Sequence, residues 1–158
     1  KGKTTAALGL ALRAAGAGLK VYIGQFAKGM YYSELKSLRK IQHIKLEQFG
    51  RGCFIKKAPT QEDKALAKAG LEKVKKILAG EKFDVVILDE INIALKLKLI
   101  SLSQTLELIE NTPPKIELIL TGRCAHPKII RIADLVSDIR EGKHYFKNGV
   151  PARKGIEY

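Results

Sequence analysis

The chain opens with KGKTT, in which Gly2, Lys3, Thr4 and Thr5 follow the order of the second half of a phosphate-binding loop, GxxxxGK[ST]. In such a loop the glycine lets a phosphate approach the backbone, and the lysine neutralises phosphate oxygens. The first hydroxyl residue ligates Mg²⁺. Taken alone, this half-motif is equally compatible with a chance GKT at the start of a helix. A second feature is needed to indicate nucleotide chemistry.

That second feature is a pair of acids, Asp89 and Glu90, at the end of the apolar run VVILDE. A continuous apolar run is typical of a central strand in a parallel sheet. A carboxylate directly after such a strand is suited to holding the metal ion of a phosphate-loop protein. Either acid has a structural alternative, such as capping the segment that follows. Because both features occur in one chain, we interpret the protein as one that binds a nucleotide.

Apolar runs with the character of strands alternate with amphipathic segments along the chain. The predicted strands cover 19–26, 44–49, 83–90 and 116–122, and the predicted helices cover 4–15, 33–40, 60–80, 102–110 and a segment that begins at Pro127. The alternation predicts an α/β fold with a mostly parallel sheet and helices on both of its faces. The Asn148-Gly149 pair predicts a C-terminal hairpin.

Two further details follow from these elements. The helix over 60–80 should begin with a Thr60–Asp63 cap and bury an apolar face. The members of that face are Leu66, Ala69, Gly70, Val74, Ile77 and Leu78. Parallel sheets bind ligands at the carboxyl ends of their strands. Arg123 stands there after the strand over 116–122, so it is a candidate for contacting phosphate or ribose, with a surface salt bridge as the alternative.

Length and composition indicate one soluble domain. The chain has 158 residues, 46% of them hydrophobic, and no apolar run long enough to cross a membrane. Its net charge of +13 suits a polyanionic ligand or nucleic acid. With no Trp and only 6% aromatic residues, a solvated lysine-rich surface is the better interpretation, and we expect no nucleic-acid partner. The two cysteines form no CxxC pair, which favours reduced thiols and a cytoplasmic protein.

Five segments together resemble one known family. They are KGKTTAALGLALRAAGAGLKVYIGQFAKG, VVILDEINIAL, LILTGRCAHPKII, ADLVSDIRE and KHYFKNGVPARKGIEY, and they cover nearly the whole chain. The resemblance is to the ATP:corrinoid adenosyltransferases of the cobalamin pathway, which have a phosphate-loop, RecA-like fold. It implies transfer of the 5′-deoxyadenosyl group of ATP to the reduced cobalt of a corrinoid, with release of triphosphate.

The resemblance also implies roles for individual residues. Lys3 and Glu90 would be catalytic, and Mg²⁺ or Mn²⁺ would be held by Thr4 and Glu90, with Asp89 close by. Gly2, Lys3, Thr4, Thr5 and Arg123 would bind ATP. Bulky residues after the third strand of the family's sheet would contact the corrinoid, and the matching positions here are Gly52, Cys53, Phe54 and Ile55. Only Phe54 among these is aromatic, whereas relatives can carry two aromatic residues.

The resemblance implies a homodimer and a reductase that supplies electrons for Co(I). It leaves the corrinoid open: cob(I)yrinic acid a,c-diamide, cobinamide or cobalamin. A nucleotide or small-molecule kinase and a RecA-like ATPase are the alternatives that could use the same loop and acids. The first half of the phosphate-binding loop is absent before Lys1. We therefore expect that the natural protein has an upstream strand and loop glycine.

Overall fold

The computed structural model describes residues 1–52, 55 and 58–158. Its elements follow one another in the order α1 (Lys3–Gly16), β1 (Val21–Phe26), α2 (Ser33–Leu38), β2 (Ile44–Phe49), α3 (Gln61–Ala79), β3 (Val85–Asp89), α4 (Ile91–Lys96), α5 (Leu102–Glu110), β4 (Glu117–Leu120) and α6 (Pro127–Ile132), and a short 3-10 helix covers Tyr145–Asn148. All four predicted strands form, and their ends differ from the prediction by two residues at most.

The four strands form one parallel sheet in the order β2-β1-β3-β4. The two inner strands, β1 and β3, are buried along their whole length. Side chains of a strand alternate between its two faces. Tyr22 and Val86 accordingly pack with α3, α4 and α5, whereas Ile23 and Ile87 pack with α1 and α2. The predicted α/β fold, a parallel sheet with helices on both faces, is confirmed.

Helix α1 packs closely on the sheet because its buried face consists of alanines. These are Ala7, Ala11, Ala14 and Ala15. Their small side chains let the helix backbone approach β1 and β3. The helix therefore holds its first turn beside the carboxyl ends of those strands.

Helix α3 has the predicted start, but the predicted face is partly wrong. Thr60 and Asp63 form a reciprocal capping box. The buried positions are Asp63, Ala67, Gly70, Leu71, Val74 and Leu78. Leu66 is only half-buried and Ala69 is exposed. The prediction failed because a run of Ala, Leu and Gly offers two overlapping apolar stripes, and tertiary packing selects between them.

The predicted C-terminal hairpin is not formed. No strand follows β4 in the part of the chain that the structure describes, and Tyr145–Asn148 is a 3-10 helix. Gly149 has a φ of 71° and ends that helix, with its N–H donating to the carbonyl of Phe146. An Asn-Gly pair readily adopts positive φ, and positive φ occurs both at the ends of helices and in hairpin turns. The pair therefore predicted a turn correctly and the flanking strands wrongly.

Among the described residues there is no helix with both the length and the apolar character needed to cross a membrane. The longest, α3, carries many charged side chains. The apolar side chains that are most exposed lie instead near the C-terminal end, where Leu135 is 80% and Phe146 81% exposed.

Candidate nucleotide-binding site

A cleft of about 1480 Å³ lies at the carboxyl ends of the strands. Its lining comes from 1–5 at the start of α1, from residues that follow β1, β3 and β4, and from residues after α6. Helix N-termini and strand carboxyl ends therefore meet here, as expected for the ligand site of a parallel α/β sheet.

The four residues of the KGKTT motif predicted to bind phosphate all line this cleft. They are Gly2, Lys3, Thr4 and Thr5. Gly2 precedes α1 with a φ of 105°, a conformation that glycine adopts without strain. The helix that follows has 14 residues and no acid in its first turn, so its free N–H groups and dipole favour an anion. The local geometry suits a phosphate group beside Lys3.

Asp89 is the centre of a buried hydrogen-bond network below the cleft. Its carboxylate accepts hydrogen bonds from the hydroxyl of Thr4 at 3.1 Å and from the hydroxyl of Thr121 at 2.6 Å. It also accepts from the side-chain amide of Gln25 at 3.2 Å and from the ammonium of Lys28 at 2.7 Å. Four donors fix the carboxylate against the first turn of α1. The buried charge is thereby compensated.

Lys28 belongs to this network although the sequence analysis did not select it. Besides its ion pair with Asp89, its ammonium donates to the hydroxyl of Thr4 at 3.2 Å. The ring of Tyr32 lies 5.5 Å from the ammonium, within the range of a cation–π contact. The sequence could have indicated Lys28 as a site residue, because it lies two residues after a buried strand and the carboxyl ends of parallel strands meet at one edge of the sheet. Thr121, directly after β4, could have been selected for the same reason.

Glu90, the second acid of the Asp89–Glu90 pair, lines the cleft. It has a left-handed backbone with a φ of 59°, and its N–H donates to the hydroxyl of Thr121 at 3.0 Å. Its Oε2 atom is buried and has no hydrogen-bond partner among the described residues. Burial raises the pKa of Glu90 above its ordinary value, and the charge of Asp89 acts in the same direction. Lys28, Lys3 and Arg123 oppose this shift.

Close packing keeps the Glu90 carboxylate in place. Gly122 has a φ of 125°, and a Cβ atom there would lie 3.3 Å from Oε2 of Glu90 and 3.0 Å from Cβ of Asn92. A glycine after β4 therefore leaves just enough room for the two side chains at the start of α4. Arg123 follows it, is exposed and also lines the cleft.

The structure thus brings seven of the predicted residues to one cleft and its floor: Gly2, Lys3, Thr4, Thr5, Asp89, Glu90 and Arg123. The hydroxyl of Thr4 contacts Asp89 rather than Glu90, and Glu90 has a carboxylate oxygen available. Thr5 is an exposed residue at the edge. Their role in binding ATP or a metal ion stays a prediction.

The predicted corrinoid-binding residues are only partly described. Cys53 and Phe54 lie outside the described residues. Gly52 is exposed in the turn after β2, and Ile55 is half-buried and packs against the core cluster on the α3 side of the sheet. A role for these four residues in binding a corrinoid stays a prediction.

Comparison with known proteins identifies the family to which this site belongs. Residues 1–158 match the family described as "ATP:corrinoid adenosyltransferase BtuR/CobO/CobP". Corrinoid adenosyltransferases of Escherichia coli (strain K12) and Pseudomonas aeruginosa are 34% and 35% identical over the whole chain, which spans 81% and 79% of their lengths. Corrinoid adenosyltransferase CobA of Salmonella typhimurium is 34% identical, and the chain spans 81% of it. The chain therefore belongs to the ATP:corrinoid adenosyltransferase family.

Proposed function

We propose that this protein transfers the 5′-deoxyadenosyl group of ATP to the reduced cobalt of a corrinoid, in the synthesis or salvage of cobalamin. The observation that carries the proposal is the convergence of the α1 N-terminus, Lys3 and the acidic pair Asp89–Glu90 on one cleft in a chain of this family. The family makes a kinase or a plain ATPase the less favoured alternative.

The reaction requires little chemistry from the protein side chains. The electron pair of Co(I) attacks C5′ of ATP, a cobalt–carbon bond forms, and the C5′–oxygen bond breaks with its electrons on the leaving triphosphate. The cobalt is formally oxidised from Co(I) to Co(III). No proton is removed from the nucleophile, so no general base is required. The protein must align C5′ with cobalt and stabilise the negative charge that develops on triphosphate.

Lys3 and the free N–H groups of α1 are suited to the second task. A lysine ammonium forms charge-assisted hydrogen bonds with phosphate oxygens, and a helix N-terminus favours the same charge. Arg123 lies on the same cleft and can contribute a second cation. We therefore assign phosphate binding to Gly2, Lys3, Thr4, Thr5 and Arg123.

The residues present fit a divalent cation of the Mg²⁺ or Mn²⁺ type. Such cations prefer oxygen ligands, and this part of the cleft offers the Thr4 hydroxyl and two carboxylates. The buried Oε2 atom of Glu90 has no donor among the described residues, which is expected of an atom that awaits a cation. Thr4 and Glu90 would hold the ion, with Asp89 as a further ligand or as support for Thr4. A bound cation would neutralise charge on the triphosphate.

Other parts of the proposal come from family resemblance. We propose that Gly52, Cys53, Phe54 and Ile55 contact the corrinoid, because they match the family's corrinoid loop in position. We also propose that the protein forms a homodimer, that a separate reductase generates Co(I), and that the protein is cytoplasmic. Cob(I)yrinic acid a,c-diamide, cobinamide and cobalamin are the candidate acceptors.

The test is the appearance of a cobalt–carbon bond. ATP, Mg²⁺ and a chemically reduced corrinoid are incubated with the protein, and the absorption spectrum is followed in the dark and after illumination. We expect a light-sensitive adenosylated corrinoid that forms only with ATP and enzyme together. If none of the three corrinoids is adenosylated by a folded, ATP-binding protein, the proposed function is wrong.

A further inference from the structure

The ammonium of Lys28 contacts two of the residues assigned above to the cation site, Asp89 and Thr4. It lies 2.7 Å from Oδ2 of Asp89 and 3.2 Å from Oγ1 of Thr4. Both oxygens are ligands or support for the cation in the function proposed above, on which this inference rests. The Lys28 side chain is only 14% exposed and that of Asp89 1%, so the contact is shielded from solvent. We propose that Lys28 prevents a divalent ion from binding at the cation position until a nucleotide is bound.

The charge balance of this part of the cleft supports the proposal. The charged side chains that act most strongly on Glu90 are Asp89, Lys28, Lys3 and Arg123. With both acids ionised, these three cations exceed the two carboxylates of the acidic pair by one positive charge. A bare dication is repelled by such a site, whereas a polyanion such as ATP is attracted. When triphosphate supplies negative charge, it can receive the Lys28 ammonium and free the oxygens of Thr4 and Asp89.

The backbone conformation around Lys28 directs its side chain towards Thr4 and Asp89. Ala27 has a φ of 52°, which is rare for a residue other than glycine and turns the chain sharply after β1. The turn packs against the turn after β2, since a Cβ atom on Gly50 would lie 2.7 Å from the backbone nitrogen of Lys28. A Cβ atom on Gly29 would collide with the carbonyls of Gly50 and Arg51. The movement available to Lys28 is therefore mainly that of its side chain.

An alternative role for Lys28 is purely structural, as the counter-ion of a buried carboxylate. Both roles predict that loss of Lys28 lowers stability, because Asp89 would lose its charge partner. Only the proposed role predicts that Mn²⁺ binds more tightly to the nucleotide-free protein when the ammonium is removed. The affinity for Mn²⁺ without ATP is the measurement that separates them.

The experiment measures free Mn²⁺ by electron paramagnetic resonance during titration of the protein without ATP, and then with ATP. The variants are Lys28→Met, Lys28→Arg and Lys76→Met, which removes the same charge from an exposed position on α3. We expect Lys28→Met to bind Mn²⁺ without ATP at least about tenfold more tightly than the parent. Lys28→Arg and Lys76→Met should bind as weakly as the parent.

The outcomes separate the inference from the proposed function. Because ATP itself chelates Mn²⁺, binding with ATP is judged against the same ATP concentration without protein. If the parent with ATP binds more Mn²⁺ than ATP alone, but Lys28→Met binds Mn²⁺ no more tightly than the parent without ATP, the role of Lys28 is refuted and the cation site stands. If the parent with ATP binds no more Mn²⁺ than ATP alone, the cation site itself is refuted, and the inference with it. Melting curves verify that each variant is folded at the titration temperature, and Lys28→Gln replaces Lys28→Met if that variant is not.

Discussion

The hydroxyl of Thr4 donates a hydrogen bond across 3.1 Å to the carboxylate of Asp89, 85 residues further along the chain. Thr4 lies in the first turn of α1 and Asp89 is the last residue of β3. This bond joins the phosphate-type motif to the acidic pair, so the two features form one site. A threonine hydroxyl next to a strand-end carboxylate is the arrangement that a metal–phosphate site requires.

Loss of the Lys3 ammonium should weaken the use of ATP. We expect Lys3→Ala to lower kcat/KM for ATP by more than about tenfold, because a charge-assisted contact to the leaving triphosphate is removed. The melting temperature should stay near that of the parent, since Lys3 is only half-buried. Lys76→Ala, which removes an exposed charge from α3, is the matched control. Parent-like kinetics for Lys3→Ala would show that KGKTT does not bind the triphosphate.

The ion pair between Lys28 and Asp89 should be strongly coupled. Asp89→Asn leaves the Lys28 ammonium without its charge partner, and we expect the free energy of unfolding to fall by about 3 kcal/mol. Combining it with Lys28→Met should cost less than the sum of the two single changes, because no unpaired buried charge remains. Urea unfolding of the parent and the three variants measures this cycle. Additive costs would contradict the described network.

Asp63 should make stability fall in acid. Hydrogen bonds from Arg51 foremost, and from Thr60, lower the pKa of Asp63 from 3.8 to about 2, although burial opposes the shift. Because the folded-state pKa is the lower one, this contribution is complete above about pH 4 and is lost as pH falls towards about 2. Asp63→Asn keeps the shape of the cap but lacks the charge. Over this pH range the parent should lose about 2 kcal/mol more than Asp63→Asn. Parallel curves of unfolding free energy against pH would show that the Asp63 charge contributes nothing.

The close contact between the turns after β1 and β2 should be intolerant of a side chain. A methyl group at Gly50 would meet the backbone of Ala27 and Lys28 at 2.7–2.9 Å, so Gly50→Ala should cost about 1–3 kcal/mol. Gly52→Ala is the control, because the nearest atom to its Cβ would be the carbonyl oxygen of Gly29 at 4.0 Å. It should change stability by less than about 0.5 kcal/mol. Equal melting temperatures for the two variants would contradict this packing.

The sequence predicted most reliably those elements whose local signals agree with one another. The run VVIL is apolar on both faces and therefore favours a buried strand, and Thr60 with Asp63 carries a complete helix-start signal. The Lys28 contact was not predictable in the same way. It joins residues 61 positions apart, and neither propensity nor periodicity encodes pairing over such a distance. The Asn148-Gly149 pair failed for a related reason, since a hairpin needs a partner strand that local sequence cannot supply.

The fate of the ATP phosphorus atoms tests the central claim most directly. ATP labelled with ¹³C at C5′ is incubated with Mg²⁺, chemically reduced corrinoid and the protein, and ³¹P and ¹³C spectra are recorded together. Attack at C5′ predicts one equivalent of triphosphate for each cobalt-bound ¹³C-labelled methylene, and neither product should form when the corrinoid is left oxidised. Appearance of ADP with the label still in the nucleotide would contradict the claim, because the phosphoryl group would then have been transferred instead.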